Sequence, residues 1–407
     1  MTNLAEDEDM LRESLEGGRS EPIPDQDAVL PEATTAVAVR AAVPASSAPS
    51  YPLQFTGSGS EYFRIWIANL FLTVVTLGIY SAWAKVRKTR YFWQNTRLDG
   101  HVFDYHGNPV AVLRGRVLAV VLFAAYTWTL EFSQAAGLVT IGLLCLIGPW
   151  LFWKAQQFKS RNTSHRGLRF DFAGDCRDAY AALLPPLLIW FSGSVAGLLL
   201  ADKPWITVIV VLATFLLFPW MHHRLKRYQH GRVCYGDQRA DFVAATEEFY
   251  WTYTKGLGVV VGMFILVFVV VSVLAVFARL HPQLPREFTW IVGLVVGGML
   301  YLGLWPYFAA RLQRVVWDNT QLGALHFRTT LAATTLFGLV AACVFWTVLT
   351  LGLYWPFAAI RLARYRVQCM HIVTGLTLDR IAYSLAPTAT PAAGDSAAEL
   401  FGLDVGL

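Results

Sequence analysis

Two copies of one pattern mark this chain: LTVVTLGIYSAWAKVRKTRY at residues 72–91 and WTVLTLGLYWPFAAIRLARY at residues 346–365. Aligned without gaps, the two segments are identical at 10 of 20 positions. In each, an apolar run reaches an aromatic break and continues as a short basic helix. The same order, followed by a strand-like segment, occurs five times along the chain. Internal repetition of one unit predicts a repeated architecture.

The composition is that of a membrane protein. The chain of 407 residues is 55% hydrophobic, 14% aromatic and 15% charged, which is too little charge for a soluble domain of this size. A helix needs about 20 apolar residues to cross roughly 30 Å of hydrocarbon. Eight runs approach or reach that length, at about 62–83, 113–133, 136–153, 181–200, 205–221, 256–278, 289–308 and 331–357. We therefore expect an all-α polytopic membrane protein with about eight transmembrane helices, internal repeats and short cytoplasmic β segments.

Charge divides the chain into three parts. Residues 1–50 hold ten acidic and three basic side chains and are rich in Pro, Ala and Ser, which is typical of a disordered tail. Residues 384–407 are Ala/Pro-rich and acidic and predict a second disordered tail. Between them, 51–383 predicts a repeated multi-span membrane domain with 30 basic and 15 acidic residues.

The basic residues predict the orientation. The four longer loops, at 84–116, 154–177, 222–255 and 309–330, carry 22 Lys and Arg, whereas the short connections between paired spans carry three. Short loops rich in Lys and Arg stay in the cytoplasm. We therefore expect the longer loops inside the cell and the protein in the bacterial inner (cytoplasmic) membrane.

Within these loops lie short alternating segments. Gly100 matches Gly167 and Phe103 matches Phe170 at one offset of 67 residues. Alternation of apolar and polar residues over four to six positions is typical of a strand. We expect these segments to pair into a small cytoplasmic sheet under the helices.

The motifs of residues 55–103 resemble the signature of the YjgN-like family of bacterial inner-membrane proteins. The matching residues are F-x-G-x-G-x-E-Y-F from Phe55, the T-L-G-I-Y-x-x-W-A break, and N-T-x-x-x-G-x-x-F from Asn95. The family-motif positions, which we interpret as structural, are Gly57, Gly59, Glu61, Tyr62, Gly78, Tyr80, Trp83, Asn95, Thr96, Gly100 and Phe103. The resemblance covers about residues 52–383; it implies a polytopic membrane protein, and it implies no activity.

No catalytic, cofactor or metal site is predicted. His222, His223, His230 and Cys234 can be read as metal ligands, but an interfacial helix that carries a few His explains them better. The loop carboxylates, such as Asp99 and Asp104, fit turns and strand ends. The chain shows no nucleophile elbow, zinc-protease or phosphate-loop motif, so we expect no enzyme and no cofactor.

Anionic lipid headgroups are the expected partner. Basic clusters next to a span attract such lipids, and the candidate contacts are Lys85, Arg87, Lys88, Arg90, Arg361 and Arg364. The alternative is that these charges only set topology. We expect no nucleic-acid partner, and homo-oligomers are left open.

Two functions from different classes remain. One is transport or lipid handling, because packed spans can enclose a path. The other is a membrane scaffold or sensor that docks partners on its loops and acidic tail.

The topology is also undecided by pattern alone: if the first and eighth spans cross fully, both termini lie outside the cell. We expect two full crossings, because 62–83 is too short to cross twice.

Overall fold

A closed barrel of ten antiparallel strands forms the base of the fold. The computed structural model describes residues 49–280 and 286–374. The tails predicted at 1–50 and 384–407 lie outside these residues, apart from residues 49 and 50. Each strand pairs with its chain neighbours, and β1 pairs with β10. The strands are β1 Ser50–Phe55, β2 Thr96–Leu98, β3 His101–Tyr105, β4 Thr163–His165, β5 Leu168–Phe172, β6 Val233–Tyr235, β7 Gln238–Phe242, β8 Thr320–Leu322, β9 Leu325–Thr329 and β10 Met370–Val373.

The barrel interior is filled by apolar side chains. Alternate residues point inward, as the two-residue period of a strand requires; in β2, for example, Thr96 and Leu98 are buried and Arg97 is exposed. The buried cluster consists of Leu98, Phe103, Tyr235, Ala240, Leu322, Leu325 and Ile372. Strands of three to six residues have little stability alone, and closure satisfies the backbone groups that an open edge would expose.

Two-residue turns join the strands at one end of the barrel. Asp99-Gly100 and Arg166-Gly167 both have positive φ at both positions, which is the geometry of the hairpin turn that matches strand twist. Arg166 also donates to the Asp99 carboxylate at 2.8 Å and so links the two turns.

A helical hairpin leaves the opposite end of the barrel between every other pair of strands. The helices are α1 Gly59–Val75, α2 Ser81–Gln94, α3 Pro109–Phe132, α4 Gln134–Arg161, α5 Cys176–Leu199, α6 Pro204–His230, α7 Thr246–Leu280, α8 Arg286–Asp318, α9 Ala333–Leu349 and α10 Trp355–Gln368. In the described residues the order strand–helix–helix–strand therefore occurs five times. We call the second helix of each hairpin, α2, α4, α6, α8 and α10, a returning helix.

The helices form a ring on top of the barrel. Each packs on its chain neighbours, and α10 packs on α1 to close the ring. The wall is one helix thick, because at most 22% of each span's most apolar stretch is buried. In α7, Phe264, Ile265 and Leu266 are 58, 59 and 62% exposed although they point about 100° apart. Neighbours thus cover only part of each helix.

The ring is lower on one side. At 1.5 Å per residue, the 17 and 14 residues of α1 and α2 reach about 25 and 21 Å. Helices α9 and α10 have the same lengths. The other six contain 24 to 35 residues and reach about 36 to 52 Å. Because α10 packs on α1, the four short helices are adjacent.

Three expectations from the sequence are wrong. The fold is not all-α, because the loop segments form a closed barrel rather than a small sheet. Eight full spans are not present: in the described residues, five helices are long and apolar enough, namely Pro109–Thr129, Ala135–Arg161, Cys176–Leu199, Pro204–His230 and Thr246–Phe277. The first and eighth runs do not cross, because each turns back and returns to the barrel, where β1 and β10 pair.

Candidate functional site

One backbone hydrogen bond closes every strand–helix–helix–strand unit. The N–H one residue beyond the first strand donates to the carbonyl just before the second strand, at 2.8 to 3.0 Å. The five pairs are Thr56–Asn95, His106–Asn162, Ala173–Arg232, Val243–Asn319 and Thr330–Cys369. We call the second member of each pair the closing residue and count helix positions backward from it.

The opening motif packs the first unit against the last. A Cβ on Gly57 would lie 2.8 Å from the Phe55 ring, and one on Gly59 would lie 2.5 Å from the Phe357 ring of α10. Glycine is thus required for close approach. The Ser58 hydroxyl accepts from the Glu61 N–H at 3.2 Å and caps α1.

Tyr91 ties the returning helix to that cap. Its hydroxyl oxygen lies 3.1 Å from the Glu61 carboxylate and 3.0 Å from the Ser58 carbonyl, and either oxygen can accept its one proton. Tyr62 is buried and stacks on the Tyr91 ring at 5.5 Å. Glu61 and Tyr62 therefore hold α1 and α2 together in this structure.

Asn and Thr cap the returning helices at the barrel. The Asn95 amide donates to the Tyr91 carbonyl at 2.8 Å, and the Thr96 hydroxyl donates to the Phe92 carbonyl at 2.9 Å. Asn162 with Thr163 and Asn319 with Thr320 repeat both bonds. Each pair satisfies carbonyls that a helix end leaves open.

The two short hairpins turn by an identical device. Gly78, at φ +93, donates its N–H to the Thr73 carbonyl at 2.8 Å, as in a Schellman C-cap. The Thr76 hydroxyl donates to the Leu72 carbonyl at 2.7 Å and accepts from the Tyr80 N–H at 2.9 Å. Thr350 makes the same two bonds in the last hairpin, at 2.7 and 3.0 Å. Backbone groups at the turn are thus satisfied internally, as hydrocarbon surroundings require.

These turns present apolar tips. Leu77 and Leu351 are each 94% exposed. Beside the first tip, Tyr80 stacks on Trp83 at 6.1 Å. An exposed leucine on a backbone-satisfied turn is suited to lipid rather than to water.

Each returning helix carries a basic side chain eight positions before its closing residue, and we call these five side chains the basic belt. Its members are Arg87, Lys154, Arg224, Arg311 and Arg361. Four positions earlier the side chains are aromatic: Trp83, Trp150, Trp220, Tyr307 and Phe357. Arg224 lies 5.2 Å from the Trp220 ring and Arg311 lies 5.9 Å from the Tyr307 ring. Adjacent basic and aromatic rings are typical of a membrane–water interface.

The predicted lipid contacts divide into two groups. Arg87, Lys88 and Arg361 are exposed, and Lys85 is half-buried. Arg90 and Arg364 are exposed as well but also donate to backbone carbonyls of the following unit, Arg90 to Tyr105 at 3.1 Å and Arg364 to Gly57 at 2.9 Å. These two arginines have a structural role in addition to any contact with lipid.

Above the barrel, the returning helices also face one another. Arg366 of α10 donates Nε–H to the Gln313 side chain of α8 at 2.9 Å. His230 of α6 packs edge-on against Trp317 of α8 at 5.2 Å. Lys226 of α6 lies close enough to Lys159 of α4 for the two charges to repel. These contacts join helices that are not neighbours in the chain.

We call Lys159, Lys226, His230, Gln313 and Arg366 the inner cluster. They lie two, three or six positions before a closing residue, so they fall within about 100° of one helix face. Lys226, His230 and Arg366 are half-buried, Gln313 is buried and Lys159 is exposed. Among the described residues, no carboxylate pairs with Lys226 or Arg366. Lys226 and Lys159 thus bring two positive charges close together.

Tryptophans separate the inner cluster from the barrel. Trp93 lies 5.4 Å from Phe103 and Trp317 lies 5.2 Å from Phe327, between ring centroids. Both phenylalanines belong to or pack on the apolar barrel interior. Trp93 and Trp317 therefore cover part of the apolar barrel interior on the side of the helices.

The metal-ligand alternative has no support from side-chain geometry. His222 pairs with the Tyr253 hydroxyl at 2.8 Å, and His223 pairs with the Ala244 carbonyl at 3.0 Å, while His230 meets Trp317. In the ranges 49–280 and 286–374, no group of three His, Cys, Asp or Glu comes together to hold a metal ion.

A buried histidine lies inside the barrel. His165 is 7% exposed and stacks on Phe103, directly opposite it in the strand register, at 4.4 Å. Burial lowers the pKa of His165 to about 4, helped by the charges of Arg166 and His101. The barrel therefore contains a neutral histidine at pH 7.

Sequence reasoning did not find the inner cluster as a group. It singled out His230 as a metal ligand and did not name Lys159, Lys226, Gln313 or Arg366 as a site. The available signal was positional: Lys159 and Arg366 share one repeat position, and Lys226 and Gln313 share another. That signal becomes readable only when the closing residues are known.

Comparisons with known proteins agree on the class. The chain is 34% identical over 143 residues to inner membrane protein YjgN of Salmonella typhimurium, covering 34% of this chain and 36% of that protein. It is 31% identical over 126 residues to inner membrane protein YjgN of Escherichia coli O157:H7, covering 30% and 31%. The match therefore spans about a third of these relatives. No solved structure matches.

These matches and the five apolar helices confirm the predicted location in the bacterial inner membrane. The protein is therefore surrounded by the lipid bilayer. The profile of the family described as bacterial protein of unknown function (DUF898) matches residues 50–400, so the chain belongs to that family and the resemblance to YjgN-like proteins is confirmed.

Proposed function

We propose that this protein handles lipids: it takes single lipid molecules from the inner membrane into the space enclosed by its helix ring. The observation that carries the proposal is the low side of the ring, where α9, α10, α1 and α2 reach about 21 to 25 Å and their neighbours reach at least about 36 Å. A lipid can pass sideways over this low wall without any helix being displaced.

The surfaces along this route suit acyl chains. The tips of the low wall carry the exposed Leu77 and Leu351. The long helices are exposed on more than one side, and these exposed residues are apolar, as Phe264 and Leu266 of α7 illustrate. An apolar wall next to a basic cluster matches an amphiphile with an anionic head.

The orientation belongs to the same proposal. All four longer loops, with their 22 Lys and Arg, lie at the barrel end, so the positive-inside rule puts the barrel in the cytoplasm. The basic belt then lies at the inner headgroup layer. Its exposed members Arg87 and Arg361, together with Lys88, are the anionic-headgroup contacts that we propose. No catalytic step is part of this function.

A test is to raise the low wall. Inserting two apolar helical turns into each helix of both short hairpins leaves the barrel and its closing hydrogen bonds untouched. The same insertion in the α5–α6 hairpin, at residues 200–203, is the matched control because that wall is already high. Lipid captured by the ring is measured by photo-cross-linking with a phospholipid that carries a diazirine in its acyl chain, reconstituted in nanodiscs.

We expect the raised hairpins to reduce cross-linking inside the ring at least tenfold and the control to leave it unchanged. Equal cross-linking in both insertions refutes lateral passage.

The scaffold alternative has one favourable observation. The outward side chains of the strands alternate in charge, with Arg97, Asp104, Arg169, Asp171, Arg239, Asp241 and Arg328 on the outer surface of the barrel. Such a surface suits a soluble partner. A scaffold would tolerate the raised hairpins, so the same variants separate the two functions.

A further inference from the structure

A shallow cleft lies on the part of α7 that is nearest to the barrel. Its volume is about 310 Å³, and it is lined by Glu247, Tyr250, Trp251 and Thr254. These four residues are spaced by three or four positions, so they share one face of the helix. Phe249 is fully buried, and Tyr253 packs on Phe308 of α8. The cleft therefore occupies the side of α7 that its neighbours leave uncovered.

The cleft contains one acidic group. Glu247 is exposed, and within residues 49–280 and 286–374 no side chain or backbone group bonds to its carboxylate. The next residue differs, because Glu248 accepts from the Asn319 amide at 2.7 Å and so joins α7 to α8. Folding thus accounts for Glu248 but not for Glu247. An exposed carboxylate beside aromatic rings is suited to a cation.

The aromatic part of the cleft already receives an ammonium group. The Trp251 side chain is 64% exposed, and Lys255 Nζ lies 5.2 Å from the centroid of its ring, within the range of a cation–π contact. Lys255 follows Glu247 by eight residues, or about 12 Å along the helix, and reaches back over Trp251. This face of α7 therefore carries negative charge toward the barrel, positive charge toward the hydrocarbon and an aromatic ring in between.

That order of charges matches a zwitterionic headgroup. In a phospholipid the phosphate adjoins the glycerol and the acyl chains, and the ammonium group of an ethanolamine headgroup lies farther out. Lys255 is thus placed for the phosphate, and Glu247 with Trp251 for the ammonium. Beyond Lys255, a Cβ added to Gly258 or Gly262 would meet nothing within 4 Å, so an acyl chain can lie along this part of α7.

The repeated fold does not require this set of residues. We compare the positions five, nine and thirteen residues after the strand that precedes the first helix of each unit. In α7 they are Glu247, Trp251 and Lys255; in the other units they are Ser60, Arg64 and Ala68; Val110, Arg114 and Leu118; Arg177, Ala181 and Pro185; and Thr334, Gly338 and Ala342. Only α7 combines an acid, an aromatic ring and a base at these positions, so packing shared by all five units does not explain them.

We infer that this face of α7 binds one phospholipid with an ethanolamine headgroup. The lipid ammonium replaces Lys255 at the Trp251 ring and pairs with Glu247, while Lys255 pairs with the phosphate. A primary ammonium is favoured over a quaternary one, because it donates hydrogen bonds to the Glu247 carboxylate. The inference goes beyond lateral passage over the low wall and does not depend on it, since α7 is one of the long helices.

The experiment uses the full chain, purified in neutral detergent. The probes are short-chain phosphatidylethanolamine, short-chain phosphatidylglycerol, which has the phosphate without the ammonium, and soluble glycerophosphoethanolamine, which has the headgroup without acyl chains. Affinity is measured by titration, and bound lipid is counted by native mass spectrometry. We expect the native chain to bind phosphatidylethanolamine about fivefold more tightly than phosphatidylglycerol and about tenfold or more tightly than the soluble headgroup.

Two variants, each with a matched control, test the assigned residues. Trp251→Leu should weaken binding of phosphatidylethanolamine about fivefold and leave phosphatidylglycerol unchanged, whereas Trp205→Leu, at a tryptophan of α6 that is 62% exposed, should change neither. Glu247→Gln should abolish the preference for phosphatidylethanolamine, whereas Asp241→Asn, which removes an exposed carboxylate from β7 instead, should keep it. Because Glu247 and Trp251 are exposed, both variants should keep the native melting temperature without lipid.

Three results would overturn the inference. The first is equal affinity of the native chain for the two lipids, since the ammonium then contributes nothing. The second is an equal loss in Trp251→Leu and Trp205→Leu, because the effect would then belong to any exposed tryptophan. The third is binding of glycerophosphoethanolamine as tightly as the lipid, which would make the ligand soluble. None of these results bears on the raised hairpins, so either proposal can fail without the other.

Discussion

The turn of the first short hairpin depends on one hydroxyl. In Thr76→Val, the side chain keeps its shape but loses the Oγ1 that donates to the Leu72 carbonyl at 2.7 Å and accepts from the Tyr80 N–H at 2.9 Å. Leu72 belongs to α1, and the Tyr80 N–H begins α2. The substitution therefore breaks the link between two helices where the chain reverses.

The size of the effect follows from the bond to the Tyr80 N–H. The bond back to the Leu72 carbonyl, four residues earlier, has little net value, whereas an orphaned N–H away from water costs about 1–3 kcal/mol. We expect Thr76→Val to lower the free energy of unfolding by about 1–3 kcal/mol. Thr350→Val should behave alike, because Thr350 makes both bonds at nearly the same lengths.

The measurement is reversible unfolding by SDS in lipid bicelles. Thr73→Val is the matched control in the same helix, because its hydroxyl only donates back to the Asn69 carbonyl at 2.6 Å, a contact of little net value. Thr76→Ser, which keeps the hydroxyl, should stay within about 1 kcal/mol of the native chain. Equal losses for Thr76→Val and Thr73→Val would refute the assigned role.

Three further predictions concern the barrel, the ring closure and the topology. The pKa of His165 is about 4 in the fold and about 6.5 unfolded, so the unfolded chain binds the proton first as pH falls. His165 should therefore lower stability by about 3 kcal/mol between pH 6.5 and 4. His165→Gln should remove this contribution, and the same change at the exposed His326 is the control. Gly59→Ala should cost about 1–3 kcal/mol by overpacking the Phe357 ring, and adding Phe357→Leu should recover most of that loss in a thermal melt; no recovery contradicts the contact. Topology reporters placed directly before residue 49 and directly after residue 374 should report the same side of the membrane as one in the 99–100 turn, since β1 pairs with β10. Reporters on opposite sides would exclude the closed barrel.

The amino-acid sequence was enough to predict an inner-membrane protein, because hydrophobicity and charge act locally. A run of apolar residues favours hydrocarbon whatever its neighbours are, and the basic loops add their charges without a fold. The match of Gly100 with Gly167 was visible in the repeat, and both glycines take positive φ in the two-residue turns.

The first and last apolar runs were misread because length and pattern do not record direction. Residues 62–83 suffice in number for one crossing, so the sequence favoured one. The structure turns the chain at Gly78 and Gly352 and satisfies the backbone with Thr76 and Thr350. The positive-inside rule favours one side for all the basic helices, including the last, and so agrees with a chain that turns back.

The amino-acid sequence by itself determined a membrane protein of repeated units, with strand-like loops and basic helices on one side, because composition, hydropathy and local turn preference need no distant partner. Only the tertiary structure decided that the strands close into a barrel, that four short helices lie side by side, and that Arg366 of α10 meets Gln313 of α8. The first two depend on closure of the ring: β1 pairs with β10, and α10 packs on α1, across about 300 residues of chain. Contacts at that separation depend on the curvature of the whole ring, which no local pattern encodes.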